Sequence, residues 1–221
     1  MKKMIYKTAL FVLMIGMTNA QTINWGSENK EKHILNANIG AEYGVIFGLG
    51  YSYKLNSRLF PMMLGAEFST PSGNDLLDDY KAKAGVNVRW IKVHDFQLST
   101  RVQGLFRLIE NENAAIVNFG LDMAGVIGYY RPKWFGGVEV GFDKAIVTHF
   151  KHSEKYKEIY PDVKNGWYEP ATGGNFYYGL QCGYTFRNQE IYLKGGNIVS
   201  QDFKTKPLLP FYAQIGYNFK L

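Results

Sequence analysis

Apolar and polar side chains alternate with a period of two along most of this chain, a rhythm that belongs to extended strands with two unlike faces. In the last segment Phe211, Ala213, Ile215, Tyr217, Phe219 and Leu221 share one face; Tyr212, Gln214, Gly216, Asn218 and Lys220 share the other. From 176 to 187, Phe176, Tyr178, Leu180, Cys182, Tyr184 and Phe186 oppose Tyr177, Gly179, Gln181, Gly183, Thr185 and Arg187. Upstream, Phe96, Leu98, Val102, Phe106 and Leu108 oppose Gln97, Ser99, Arg101, Gln103 and Arg107. Tyr80, Val86, Val88 and Trp90 oppose Lys81, Lys83, Asn87 and Arg89, and segments 117–129 and 134–146 repeat the scheme.

A soluble sandwich alternates too, but two features argue for a barrel in a bilayer. The polar face is rich in Gly, Ser, Asn and Gln, which fit the crowded interior of a narrow barrel. Many segments run ten or more residues, as a tilted membrane crossing needs and an ordinary globular strand does not. The expected fold is therefore all-β, an antiparallel transmembrane β-barrel. Counting back from the C-terminus gives nine segments, the first holding one phase from Leu35 to Tyr53. That segment is about twice one crossing, and a three-residue hairpin near Tyr43-Gly44 would keep its phase. Ten strands result, with eight as the alternative.

The first twenty residues read as a signal peptide: basic Lys2, Lys3 and Lys7, an apolar run from Ala9 to Met17, then small residues ending at Ala20. Cleavage before Gln21 divides the chain into a leader (1–20), an N-terminal periplasmic segment (21–33) and a barrel (34–221). Losing three lysines drops the net charge from +6 to +3, or 22 basic minus 19 acidic residues. No basic run with interleaved aromatics remains, so a nucleic-acid partner is not expected. Cys182 stands alone and cannot form an internal disulfide.

Short connections (56–58, 93–95, 131–133, 188–189) alternate with longer ones (70–79, 110–113, 151–174, 203–209). With the C-terminus in the periplasm, the longer set lies outside the cell. Tyr129, Tyr130, Trp134, Phe135 and Trp90 lie beside short turns and are expected to form the periplasmic aromatic girdle.

Taken over 34–221 with the leader, the chain resembles the small outer-membrane β-barrel proteins of Gram-negative bacteria. Its segment Phe211–Leu221 is similar to the signal read by the barrel-assembly machinery, although Lys220-Leu221 follow Phe219 where such signals usually end on an aromatic residue. The resemblance implies an outer-membrane address among lipid and lipopolysaccharide. It confers no function, because enzymes, adhesins, channels and inert anchors share this architecture.

Three candidate sites follow from the residues. The insertion 151–174 carries Tyr156, Tyr160, Trp167 and Tyr168 among balanced charges, which suits a lid or a surface contacting an extracellular protein or glycan. The polar phase carries Glu67, Arg89, Arg101, Arg107, Asp122, Glu139 and Asp143, with Lys81, Lys83 and Lys194. Mixed signs in a narrow bore should form an ion-pair network that closes it, with little conductance. A barrel-rim hydrolase acting on lipid or lipopolysaccharide is the alternative to a non-enzymatic barrel, resting on His149, His152 and Ser153. Extended geometry holds His149 about 13 Å from Ser153, and no nucleophile elbow occurs. Neither a cofactor nor a metal site is expected, the 149/152 pair being too few ligands for zinc.

Overall fold

The alternation resolves into ten barrel strands. A computed structural model describes residues 22–27, 31–42, 44–55, 57, 59–72, 78–170, 173–207 and 209–221; the expected leader and its Ala20–Gln21 cleavage point lie outside them. The strands are β1 (His33–Ala41), β2 (Val45–Leu55), β3 (Met62–Pro71), β4 (Asp79–Val93), β5 (Phe96–Glu110), β6 (Ala114–Tyr130) and β7 (Trp134–His152), followed by β9 (Gly174–Phe186), β10 (Gln189–Ser200) and β11 (Phe211–Lys220). Between β7 and β9 lie one helical turn and a half, α1 (Glu154–Ile159), and the short strand β8 (Gly166–Tyr168). Sequence neighbours pair antiparallel, β9 pairs with β7, and β1 pairs with β11, so the sheet closes on itself. Closure leaves no unpaired edge in the wall, which a bilayer demands.

The long single-phase segment splits as its length requires. Ala41 pairs with Val45 across a three-residue connection, so β1 and β2 keep one phase. Connection lengths alternate less cleanly than the sequence predicted. The β2–β3 connection runs from 56 to 61, while the β5–β6 turn opposite is only 111–113. The start of β1 and the end of β11 lie at the end bearing the β4–β5, β6–β7 and β9–β10 turns, here the turn end; 153–170 and 201–207 lie at the loop end.

The wall is inside-out relative to a soluble protein. Leu49, Ile127 and Leu180 are 62–67% exposed on the outer face, whereas Glu139, Glu190 and Asn218 are at most 1% exposed within. Outer aromatics form two bands. At the loop end Phe68, Tyr80, Phe106 and Phe119 touch in turn across four strands, with ring centroids 5.4, 5.9 and 5.2 Å apart. At the turn end Phe96, Tyr129 and Trp134 do the same at 5.1 and 5.4 Å. Phe96 and Phe106 on β5 are ten residues apart, as are Phe119 and Tyr129 on β6. Ten residues rise about 33 Å along a strand, or ~25 Å at a ~40° tilt, the height of an outer-membrane apolar belt.

Tyr130 and Phe135 depart from the expected girdle. They face inward, 3% and 1% exposed, stacked on each other at 5.5 Å. The strict alternation explains this, since Tyr129 and Trp134 already occupy the outward positions on either side of the turn. Glycines make room for such inward rings: a side chain at Gly216 would strike Tyr192, and one at Gly183 would strike Phe135. A bulge at Ile146 shifts the β7 phase, since Phe119 pairs with Val147 but Gly120 with Ala145. Beyond the bulge Thr148 is buried inside, and His149 meets the outer Trp167 ring at 4.8 Å.

Candidate functional site

The turn end of the bore is plugged by the chain's own residues 22–27. Residues 22–27 enter it, with Thr22, Ile23 and Asn24 only 2–6% exposed. The Asn24 side chain donates to the carbonyls of Arg131 (2.9 Å) and Pro132 (3.3 Å) and to Thr185 Oγ1 (3.0 Å). Asn24 N donates to Glu190 Oε1 (3.1 Å), and Asn218 Nδ2 donates to the Thr22 carbonyl (2.8 Å). Trp25 packs against Ile23, Ile34 and Met63 on one side and Tyr130, Phe135 and Tyr192 on the other.

Glu190 is the hub of this seal. It is fully buried and also accepts from Asn218 Nδ2 (2.9 Å), Thr185 Oγ1 (3.1 Å) and Lys220 Nζ (2.9 Å). A ladder of amides leads upward from Asn218 through Asn36 and Asn38 to Glu67 Oε2, each step 2.6–2.7 Å.

Mid-bore the charges pair. Arg101 Nη2 lies 3.1 Å from Glu139 Oε1, and Lys83 Nζ lies 3.1 Å from Asp122 Oδ2. The Tyr177 hydroxyl joins the two pairs, donating to Asp122 Oδ1 (2.6 Å) and accepting from Arg101 (3.1 Å). Nearer the loop end Arg107 grips Asp79 with two bonds of 3.0 and 2.7 Å, and Lys81 meets Glu42 at 2.6 Å. Burial raises the Glu42 carboxyl, but the Lys81 and Lys83 ammonium groups outweigh it and hold Glu42, in the β1–β2 turn, down to about 2.

Of the residues expected in one luminal network, Glu67, Arg101, Arg107, Asp122, Glu139 and Asp143 all line a cavity of about 480 Å³ above the seal. Arg89 does not. It lies at the turn end, 5.7 Å over the Trp25 ring, and donates to Gln97 Oε1 (3.4 Å). Sequence reasoning passed over Asn24 and Glu190. Glu190 shares the inward phase of Lys194, a signal the pattern carried; nothing in the pattern foretold that residues 22–27 would fold inward.

Within the insertion, residues 153–170 fold against the wall. β8 pairs with β7, bringing Trp167 to 6.1 Å from Phe119 and Tyr168 to 5.6 Å from Phe150. Tyr156 stacks on His152 (5.3 Å) and meets Tyr160 (5.0 Å). Tyr160, Trp167 and Tyr168 remain 46–59% exposed despite these contacts. Ser153 caps α1, its hydroxyl accepting from Tyr156 N (3.2 Å), while His152 Nδ1 pairs with Asn165 Oδ1 (3.2 Å). Among the described residues no hydrogen bond links Ser153 to His149 or His152.

Closure, inverted wall and paired aromatic bands define the class: a ten-stranded antiparallel β-barrel of the outer-membrane type. No family model matches the sequence, and no curated protein does. Among solved structures the chain is similar to KdgM porin in complex with disordered oligogalacturonate, at 10% identity and TM-score 0.43 over 85% of this chain and 99% of that one. It is also similar to a chain from work on the in-meso crystallization of membrane proteins, at 8% identity and TM-score 0.35 over 86% and 84%.

Proposed function

We propose that this protein resides in a bacterial outer membrane as a non-enzymatic barrel with a blind bore, presenting the 153–173 insertion outside as a cap or contact surface. The observation that carries this reading is the seal. Residues 22–27 occupy the turn end and bond to β6, β7, β9, β10 and β11 residues or their turns, which obstructs passage along the bore. Paired charges narrow the bore further above the seal. Ten strands also enclose far less space than the 16 to 18 of general porins. Against a rim hydrolase stands the local chemistry: the Ser153 hydroxyl serves as a helix cap, and a nucleophile needs its base within hydrogen-bond reach.

The test is conductance in planar bilayers. The mature protein is expected to give no steady channel signal; conductance comparable to a porin contradicts the blind bore. Replacing Ser153 and His149 with Ala should leave the cell's lipid profile unchanged, and an altered profile would restore the hydrolase.

A further inference from the structure

Two charges on the wall of the loop-end cavity stand apart from its network. Four ion pairs take up most of the charge there: Lys81 with Glu42, Lys83 with Asp122, Arg101 with Glu139 and Arg107 with Asp79. Glu67 accepts from Asn38 (2.6 Å), and Lys144 donates to Gln201 (3.2 Å). Lys194 and Asp143 also line the cavity, but their side chains make neither an ion pair nor a hydrogen bond with any described residue. With Asp79 counted, the wall carries six cations and six anions. A ligand of one sign would answer one of the two free groups, leave the other bare and bring a charge in excess. A ligand bearing both signs answers both.

The register sets how far apart those signs must be. Asp143 pairs with Asn175 of β9, nearer the mouth; Lys194 pairs with Gln181, six residues further toward the turn end. Six residues span roughly 20 Å of strand, part of which the two side chains cover. A single amino acid is too short for the rest, whereas an extended tripeptide measures ~10 Å between its ends. The groups between the two levels match a peptide backbone. Glu139 pairs with Gly179, which lies between Asn175 and Gln181, and a side chain at Gly179 would strike the Tyr212 hydroxyl. Glu139 Oε2, Arg101 Nε and that hydroxyl are buried with no hydrogen-bond partner, although Glu139 is 1% and Arg101 5% exposed. They offer one acceptor, one donor and one group that does both, as amide N–H and C=O groups require. A buried polar atom without a partner is costly, so such atoms gathered on one cavity favour an occupant that bonds them. The volume of about 480 Å³ falls within the roughly 300–1,000 Å³ of small-molecule sites.

We infer that this cavity binds a short peptide with both termini free, its carboxylate deep on Lys194, its ammonium nearer the mouth on Asp143 and its amides on Glu139, Arg101 and Tyr212. The site lies above residues 22–27, so the inference stands whether or not the bore conducts.

The test is calorimetric titration of the barrel in lipid nanodiscs, against empty nanodiscs, with trialanine, N-acetyl-trialanine, trialanine amide and alanine. Trialanine should bind saturably at one per barrel. Each blocked peptide lacks one terminal charge and should bind at least tenfold more weakly, the worth of one charge-assisted hydrogen bond. Alanine, too short to reach both groups, should be weaker by at least as much. Lys194→Met and Asp143→Asn each remove a charge that bonds to nothing in the protein, so the barrel keeps its fold, which heat-dependent migration on gels reports. With Lys194→Met, trialanine should bind no better than its amide; with Asp143→Asn, no better than its N-acetyl form. The blocked peptides decide the matter on the unaltered barrel even where a variant fails to fold. Heat no greater than from empty nanodiscs, equal binding of the three peptides, alanine binding as tightly as trialanine, or a preference that survives both substitutions overturns the inference.

Discussion

Glu190→Ala should be among the most damaging single substitutions in the barrel. The carboxylate accepts from Lys220 Nζ, Thr185 Oγ1, Asn218 Nδ2 and the Asn24 backbone, all within 2.9–3.1 Å. Its removal strands the Lys220 ammonium, which is 4% exposed. Breaking a buried ion pair from one side costs about 3–5 kcal/mol. Replacing both partners by neutral side chains of similar shape is far gentler. Glu190→Gln and Lys220→Met alone each leave one buried charge unpaired, at about 3–5 kcal/mol. The two combined should lie within about 1–2 kcal/mol of the wild type, so the double-mutant cycle on these two changes should show a coupling of at least ~2 kcal/mol. The assay is urea unfolding in lipid vesicles, with the fold followed by heat-dependent migration on gels. A loss under about 1 kcal/mol for Glu190→Ala, or strict additivity in the double variant, would refute the assignment of Glu190 as hub.

Two further outcomes follow from single residues. Cys182 points outward from the middle of β9, between Gly136 and Leu193, so in vesicles it should resist a water-soluble maleimide and react fully once the protein is unfolded, as read by mass. Asp202 accepts from the backbone N–H groups of Lys204 and Thr205, which hold its carboxyl below the ordinary range. A depressed carboxylate stabilises above its unfolded value, so the 201–205 turn should stay ordered near neutrality and loosen only as pH falls through the lowered value; amide exchange at Thr205 reports this, and loosening already at pH 6 would contradict it.

The architecture was legible because a barrel in lipid writes its period into every strand. The phase assigned Leu180 and Tyr217 outward and Gln181 and Asn218 inward, and the structure keeps each there. It also pointed to a hairpin near Tyr43, since 34–55 is about twice the length of one crossing, and Ala41 pairs with Val45 there. What the period could not give was height. Arg89 and Arg101 share a phase, yet one lies against Trp25 and the other against Glu139, because strand tilt decides which inward residues meet. The seal was hidden for another reason: residues 22–27 are irregular, and irregular segments carry no period to read. Aliphatic side chains also stand among the charges on the inward phase. Leu105 and Ile109 flank Arg107, and Ile198 follows Lys194 by four residues, exceptions that an average over the strand conceals.

Sidedness of the wall is most directly tested by nitroxide scanning of β11 in reconstituted bilayers, one label at a time from 211 to 220 on a Cys182→Ser background. Labels at 213, 215, 217 and 219 should be reached by oxygen dissolved in lipid, and those at 212, 214, 216 and 218 shielded from it, a clean two-residue oscillation. A flat profile, or uniform access to a water-soluble quencher along the strand, would contradict the barrel.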